Sequence, residues 1–147
     1  MLTLDGILQP TPQIAGFGAH LIRKTVTFSS TTGTVSVFTV TGDVIVKVIA
    51  VCSTDCESGG ACDIELGVVG SVAALIVSTD LTLLEDGDIW HDVTPDSDNE
   101  LLAVAAKHII TDGADIIITL SATADSGAIE FYCLCTPLST DGLVVAA

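Results

Sequence analysis

Few residues in this chain have the type and spacing that chemistry requires. Cys52-x3-Cys56-x5-Cys62 and Cys133-x-Cys135 offer soft ligands. Neither set has the two-residue spacing of a zinc knuckle, and Cys133 and Cys135 share one strand face with Phe131. Free cysteine is among the most buried residue types, so all five read first as small core hydrophobes. Cys52, Cys56 and Cys62 flank one loop, where a disulfide can form once the protein leaves the cell. Asp92, Asp96, Asp98 and Glu100 place four carboxylates within nine residues, the kind of oxygen cluster that a calcium ion takes. The turn glycine and flanking helices of a calcium loop are missing, and an acidic surface loop is the competing reading. The histidines are His20, His91 and His108. Asp88, His91 and Asp92 are close in sequence, but on a strand His91 points away from both acids. There is no G-x-S-x-G elbow, and Gly67–Gly70 (G-V-V-G) lacks the Lys-Ser/Thr of a phosphate loop. The expectation is a protein that is not an enzyme and carries no cofactor.

The charge balance narrows the partners. Of 147 residues, 49% are hydrophobic and only 16% charged, and the formal net charge is −15. The basic residues are Arg23, Lys24, Lys47 and Lys107. Nucleic acid and anionic membrane are excluded as partners, because each requires a basic surface. The high Val, Ile and Leu content excludes disorder. Met1–Gln13 has neither the basic start nor the apolar core of a signal peptide, and no run reaches the length of a membrane span. Synthesis in the cytosol is expected. An odd number of cysteines suits a reducing compartment.

The elements that position these residues are strands. Length predicts one domain, with roughly two-thirds of the unfolded surface buried. Residues 1–19, with Pro10, Pro12, Gly16 and Gly18, read as an extended arm whose Leu4, Ile7, Leu8, Ile14 and Phe17 are candidates for docking. From residue 20 to 147 a single β-sandwich domain is expected, ending in a short tail after Pro137. His20–Phe28 and Thr34–Val40 are strands separated by a polar turn at Ser29–Gly33. Ser53–Gly60 reads as a loop. Cys62–Val68 alternates as a half-exposed strand, and Val72–Val77 and Asp88–Val93 follow. Leu101–Ile110 is the best competitor for a helix. Ala114–Ala122 and Gly127–Thr136 are two further strands. Eight or so short strands with closely spaced turns predict an all-β antiparallel sandwich of jelly-roll type.

Asp43–Cys52 is the centre of this plan. Val44, Val46, Val48, Ala50 and Cys52 form one face of the strand, and Ile45, Lys47, Ile49 and Val51 the other. A strand that is apolar on both faces must be covered on both. The first face belongs to the core. The second, with Lys47 at its middle, is a candidate subunit contact through Lys47, Ile45 and Ile49. The lysine head there either snorkels at the sheet edge or joins an ion pair. Abundant Val, Ile and Ala with little charge also favours a homo-oligomer.

The stretches T-G-D-V-I-V-K-V-I-A-V-C (41–52), D-G-D-I-W-H-D-V-T-P-D (86–96), I-T-D-G-A-D-I-I-I-T-L (110–120) and I-E-F-Y-C-L-C-T-P-L-S-T-D-G (129–142), in this order, resemble the capsid decoration, or cement, proteins of tailed phages. With the strands between them they span the chain from Thr25 onward. The resemblance implies a β-sandwich or β-barrel trimer on the outer surface of the capsid. It also implies the major capsid protein as partner and an N-terminal arm reaching over neighbouring subunits. No binding residue of that family transfers position by position. A tail, fibre or head–tail component built on the same fold is the alternative within the virion. A cellular calcium- or carbohydrate-binding β-module is the alternative outside it, and a metal-dependent enzyme comes last.

Overall fold

A computed structural model describes residues 20–97, 99 and 106–147. The N-terminal arm candidates Leu4, Ile7, Leu8, Ile14 and Phe17 therefore lie outside the described residues, as do Asp98, Glu100 and 101–105 of the helix candidate. The strands in chain order are β1 (His20–Thr41), β2 (Val44–Glu57), β3 (Asp63–Val68), β4 (Ser71–Asp80), β5 (Asp88–Trp90), β6 (Asp96–Ser97), β7 (His108–Ile110), β8 (Ile116–Pro137) and β9 (Leu143–Ala146). A 3₁₀ turn, Leu81–Leu83, precedes β5. The fold is all-β and antiparallel, one nine-stranded sheet that curls into a half-barrel.

Two 22-residue strands, β1 and β8, form its spine. They pair along nearly their whole length, from His20↔Cys135 to Phe38↔Ile116. On the other edge of β8, β3 pairs with Ile116–Leu120 and β2 pairs with Ser126–Pro137, so β8 carries two neighbours end to end. β4 extends the sheet beyond β3, while β5 and β7 extend it beyond β2. Where β8 passes from one neighbour to the other, the spine bends. Ser30 and Gly33 take positive φ values of 53° and 76° there, and the register slips between Thr31 and Gly33. The polar cluster Ser29–Gly33 is thus a bulge inside one strand, not a turn between two. Ala114–Ala122 and Gly127–Thr136 are likewise parts of one strand. A bulge supplies the bend that lets a long ribbon close over its own core.

The concave side holds the core. Val44, Val46, Val48, Ala50 and Cys52 of β2 meet Ile129, Phe131, Cys133 and Cys135 of β8, and all nine are buried. Trp90 packs edge-on against Phe131, with ring centroids 6.4 Å apart. Its indole N–H donates to the Thr79 hydroxyl at 2.9 Å, which satisfies the one polar atom that its burial would otherwise strand. Cys62, Ile64 and Leu66 point inward while Asp63 is exposed, as the alternation predicts. Burial holds the Cys133 thiol protonated, pushing its pKa up to about 12, and raises that of Cys135.

Three other expectations change. The residues after Pro137 are not a tail, since Phe38–Thr41 pairs with Leu143–Ala146 as β9. The expected loop from Ser53 is strand as far as Glu57. The end of the helix candidate, His108–Ile110, is a strand paired with Val44–Val46, where β2 supplies an open edge that overrides local propensity. Among the described residues, no helix is long and apolar enough to cross a membrane.

Candidate interaction face

Registers across β1, β8 and β2 place the second face of the central strand on the convex side of the sheet. Lys47 lies opposite Leu134, and Leu134 opposite Leu21. Ile49 lies opposite Tyr132, and Tyr132 opposite Arg23. Ile45 is flanked by Thr136 and by Ile109 of β7. The three subunit-contact candidates, Lys47, Ile45 and Ile49, therefore do share one surface. Ile45 and Ile49 are half-buried within the single chain, and Lys47 is 9% exposed. The exposed apolar area lies to either side of them, at Leu21 (58% exposed) and Ile109 (69%). The strand's own sequence does not name these flanking residues, nor Arg23 and Tyr132, because they reach the face only through pairing. The alternation of Leu21, Arg23 and Thr25 was the available signal for β1. Next to Leu21, a groove of about 220 Å³ runs between β1, β8 and β9, lined by Ile22, Pro137, Leu143 and Val144.

Over Leu21–Thr25 of β1, Glu130–Thr136 of β8 and Ile45–Val51 of β2, the outward positions carry Arg23, Lys47 and Glu130, while the exposed Asp55, Glu57 and Asp125 lie further along the same strands. Lys107, just before β7, is exposed. Of the four basic residues named above, Arg23 is exposed on this face and Lys47 lies buried within it, in a chain with net charge −15. The fourth, Lys24, has its ammonium on the backbone oxygen of Ala147. Arg23 stacks 5.3 Å from the Tyr132 ring centroid and pairs with Glu130 at 3.5 Å. The Tyr132 hydroxyl donates to the same Glu130 carboxylate, which pushes the phenol pKa up. These contacts hold Glu130 locally and fix the Arg23 guanidinium over an aromatic plane. Such an arrangement suits contact with an acidic, partly apolar surface.

Of the calcium candidates only Asp92 and Asp96 are described. Strand β5 ends at Trp90, so strand geometry does not govern His91, and its ring reaches Asp92, from which a strand would turn it away, and Asp96. Nδ1 lies 3.4 Å from Asp92 Oδ2, and Nε2 lies 3.1 Å from Asp96 Oδ2. Asp92 Oδ1 accepts from the backbone N–H and hydroxyl of Thr94, both at 2.7 Å. These two bonds hold the Asp92 carboxyl below its ordinary pKa. With these contacts already made, the two carboxylates close a turn. Among the described residues there is no group of three or more metal-ligating side chains.

No family model matches the chain, and no curated protein matches it. Among solved structures, a chain of the "Acidic stable capsid structure of Helicobacter pylori bacteriophage KHP30" is similar, with a TM-score of 0.52 at 10% sequence identity. The match covers 86% of this chain and 94% of that one. At this identity the likeness is one of fold.

Proposed function

We propose that this protein is a non-catalytic structural component of a phage virion that decorates and stabilises the capsid. It binds as an oligomer, a trimer on the family pattern, over adjacent copies of the major capsid protein on the outer surface. The observation that carries this reading is the convex face of β1, β8, β2 and β7. That face carries exposed Leu21 and Ile109 at its two sides, with Arg23 on the β1–β8 ladder, and it offers area where no deep pocket is needed. The fold shared with a chain of a phage capsid structure supports it, and so does the resemblance in strand style to decoration proteins. The role is mechanical: many weak contacts, multiplied by oligomer valency, clamp neighbouring shell subunits against internal genome pressure. Sedimentation of the purified protein is expected to show a compact trimer. The same protein is expected to pellet with expanded shells and to stay in solution with immature ones. A stable monomer with no affinity for either shell would overturn the proposal.

A further inference from the structure

The last third of β2 is doubly bulged. Cys52 pairs with Ile129, Thr54 with Ala128 and Glu57 with Ser126, so five β2 steps oppose three on β8. The two surplus residues bring Cys56 close to Cys52, with the two sulfurs 3.8 Å apart. Opposite them stands Gly127 at φ 123°, where a Cβ would lie 2.7 Å from both the Cα and the sulfur of Cys56. The chain around Leu84 clasps the bulge from the other side. Cys56 N–H donates to Leu84 O at 2.9 Å, the Cys52 thiol lies 3.4 Å from the same oxygen, and Gly87 N–H donates to Cys52 O at 2.9 Å. Four residues apart on a regular strand, two cysteines are far out of reach of each other. Here the fold holds them as a dithiol.

We propose that Cys52 and Cys56 are a disulfide-forming pair, reduced in the cytosol and closed by a low-molecular-weight disulfide once the protein is outside it. A disulfide needs its sulfurs about 2.0 Å apart, so the closure asks for side-chain movement within an existing bulge. The sulfur–sulfur hydrogen bond holds Cys52 below its ordinary pKa and pushes that of Cys56 up, which makes Cys52 the attacking thiolate. With oxidised glutathione, Cys52 gives its proton to solvent and attacks one glutathione sulfur. The first glutathione leaves as a thiolate and takes up a proton. Cys56, deprotonated in turn, attacks the Cys52 sulfur of the mixed disulfide and displaces the second glutathione. The two protein thiols lose two electrons and two protons, and one glutathione disulfide becomes two thiols. Both cysteines are almost fully buried, so the exchange proceeds through local opening of the bulge and is slow.

The test is to incubate the native full chain with oxidised glutathione and then titrate thiols in denaturant. The titre is expected to fall by two from the five present in the reduced chain, with a mass loss of about 2 Da. A protease that cuts after acidic residues splits the chain at Asp55 and Glu57, so the Cys52 and Cys56 peptides stay together only through the bond. Cys56→Ser is expected to stop at a stable glutathione adduct on Cys52. If that variant does not fold, Cys62→Ser serves instead and must still lose two thiols. An unchanged titre, an adduct that persists in the wild type, or a linkage mapping to Cys62, Cys133 or Cys135 would overturn the proposal.

Discussion

Arg23 and Tyr132 face each other across the β1–β8 ladder, with the guanidinium 5.3 Å from the ring centroid and Glu130 bound to both side chains. The trio fixes a cation in place on the surface of a strongly acidic chain. It is exposed, so its worth to stability is small. Its value lies in what it presents outward.

Arg23→Glu is therefore expected to leave the fold within about 0.5 kcal/mol of wild type. It sets a second carboxylate beside Glu130 and is expected to weaken oligomer formation and shell binding at least tenfold. Ile109→Asp, at the other end of the same face, is expected to do likewise. Sedimentation velocity and capsid pull-down read association, and urea melts check the fold. Association that survives both changes would move the contact surface elsewhere.

Gly127→Ala tests the bulge. The new Cβ would meet Cys56 at 2.7 Å, at a φ of 123° that side chains rarely adopt. A loss of roughly 2–4 kcal/mol in urea unfolding is expected from overpacking and backbone strain together. A neutral result would mean that the two strands do not approach this closely.

Thr79→Val tests the one polar contact of the buried tryptophan. Without the hydroxyl, the Trp90 N–H at 2.9 Å loses its acceptor in a dry site, at a cost of about 1–3 kcal/mol. Thr79→Ser is expected to recover most of it. Trp90 is the only tryptophan, so its fluorescence follows both variants directly.

Cys133 predicts an alkaline limit. Its pKa is raised to about 12 by burial, from an ordinary value of 9.0. The stability linked to this thiol is complete below pH 9, where both folded and unfolded chains are protonated. It falls as pH rises towards 12, because the unfolded thiol ionises first. The gap in urea midpoint between pH 8 and pH 10.5 is expected to be smaller in Cys133→Ala than in wild type. Equal gaps would mean that the thiol is solvated in the fold.

Much of the core was legible because burial leaves a mark on a single strand. Val44 to Cys52 read as two-sided, and Cys133 and Cys135 read as small core residues beside Phe131. What escaped depends on partners far along the chain. Ser29–Gly33 has turn residues, but β8 continues past it, and the pairing makes it a bulge. Leu143–Ala146 looked like a tail because nothing local says that Phe38–Thr41 offers it an edge. The convex face needed the registers of four strands, so Lys47, Ile45 and Ile49 were visible while Leu21, Arg23 and Ile109 were not. His91 was misplaced by a strand assumed to run past Trp90. The approach of Cys56 to Cys52 requires knowing that β8 is two residues short opposite them.

The continuity of β1 and β8 bears on how the molecule takes a load. Force applied along this ribbon pulls its inter-strand hydrogen bonds in shear, so that many must yield at once. The short pairs β2–β5 and β5–β6, two residues each, can peel open one bond after another. A strap fastened through β1 and β8 would resist stretching, while the β5–β6 margin would give way first and leave the spine under tension.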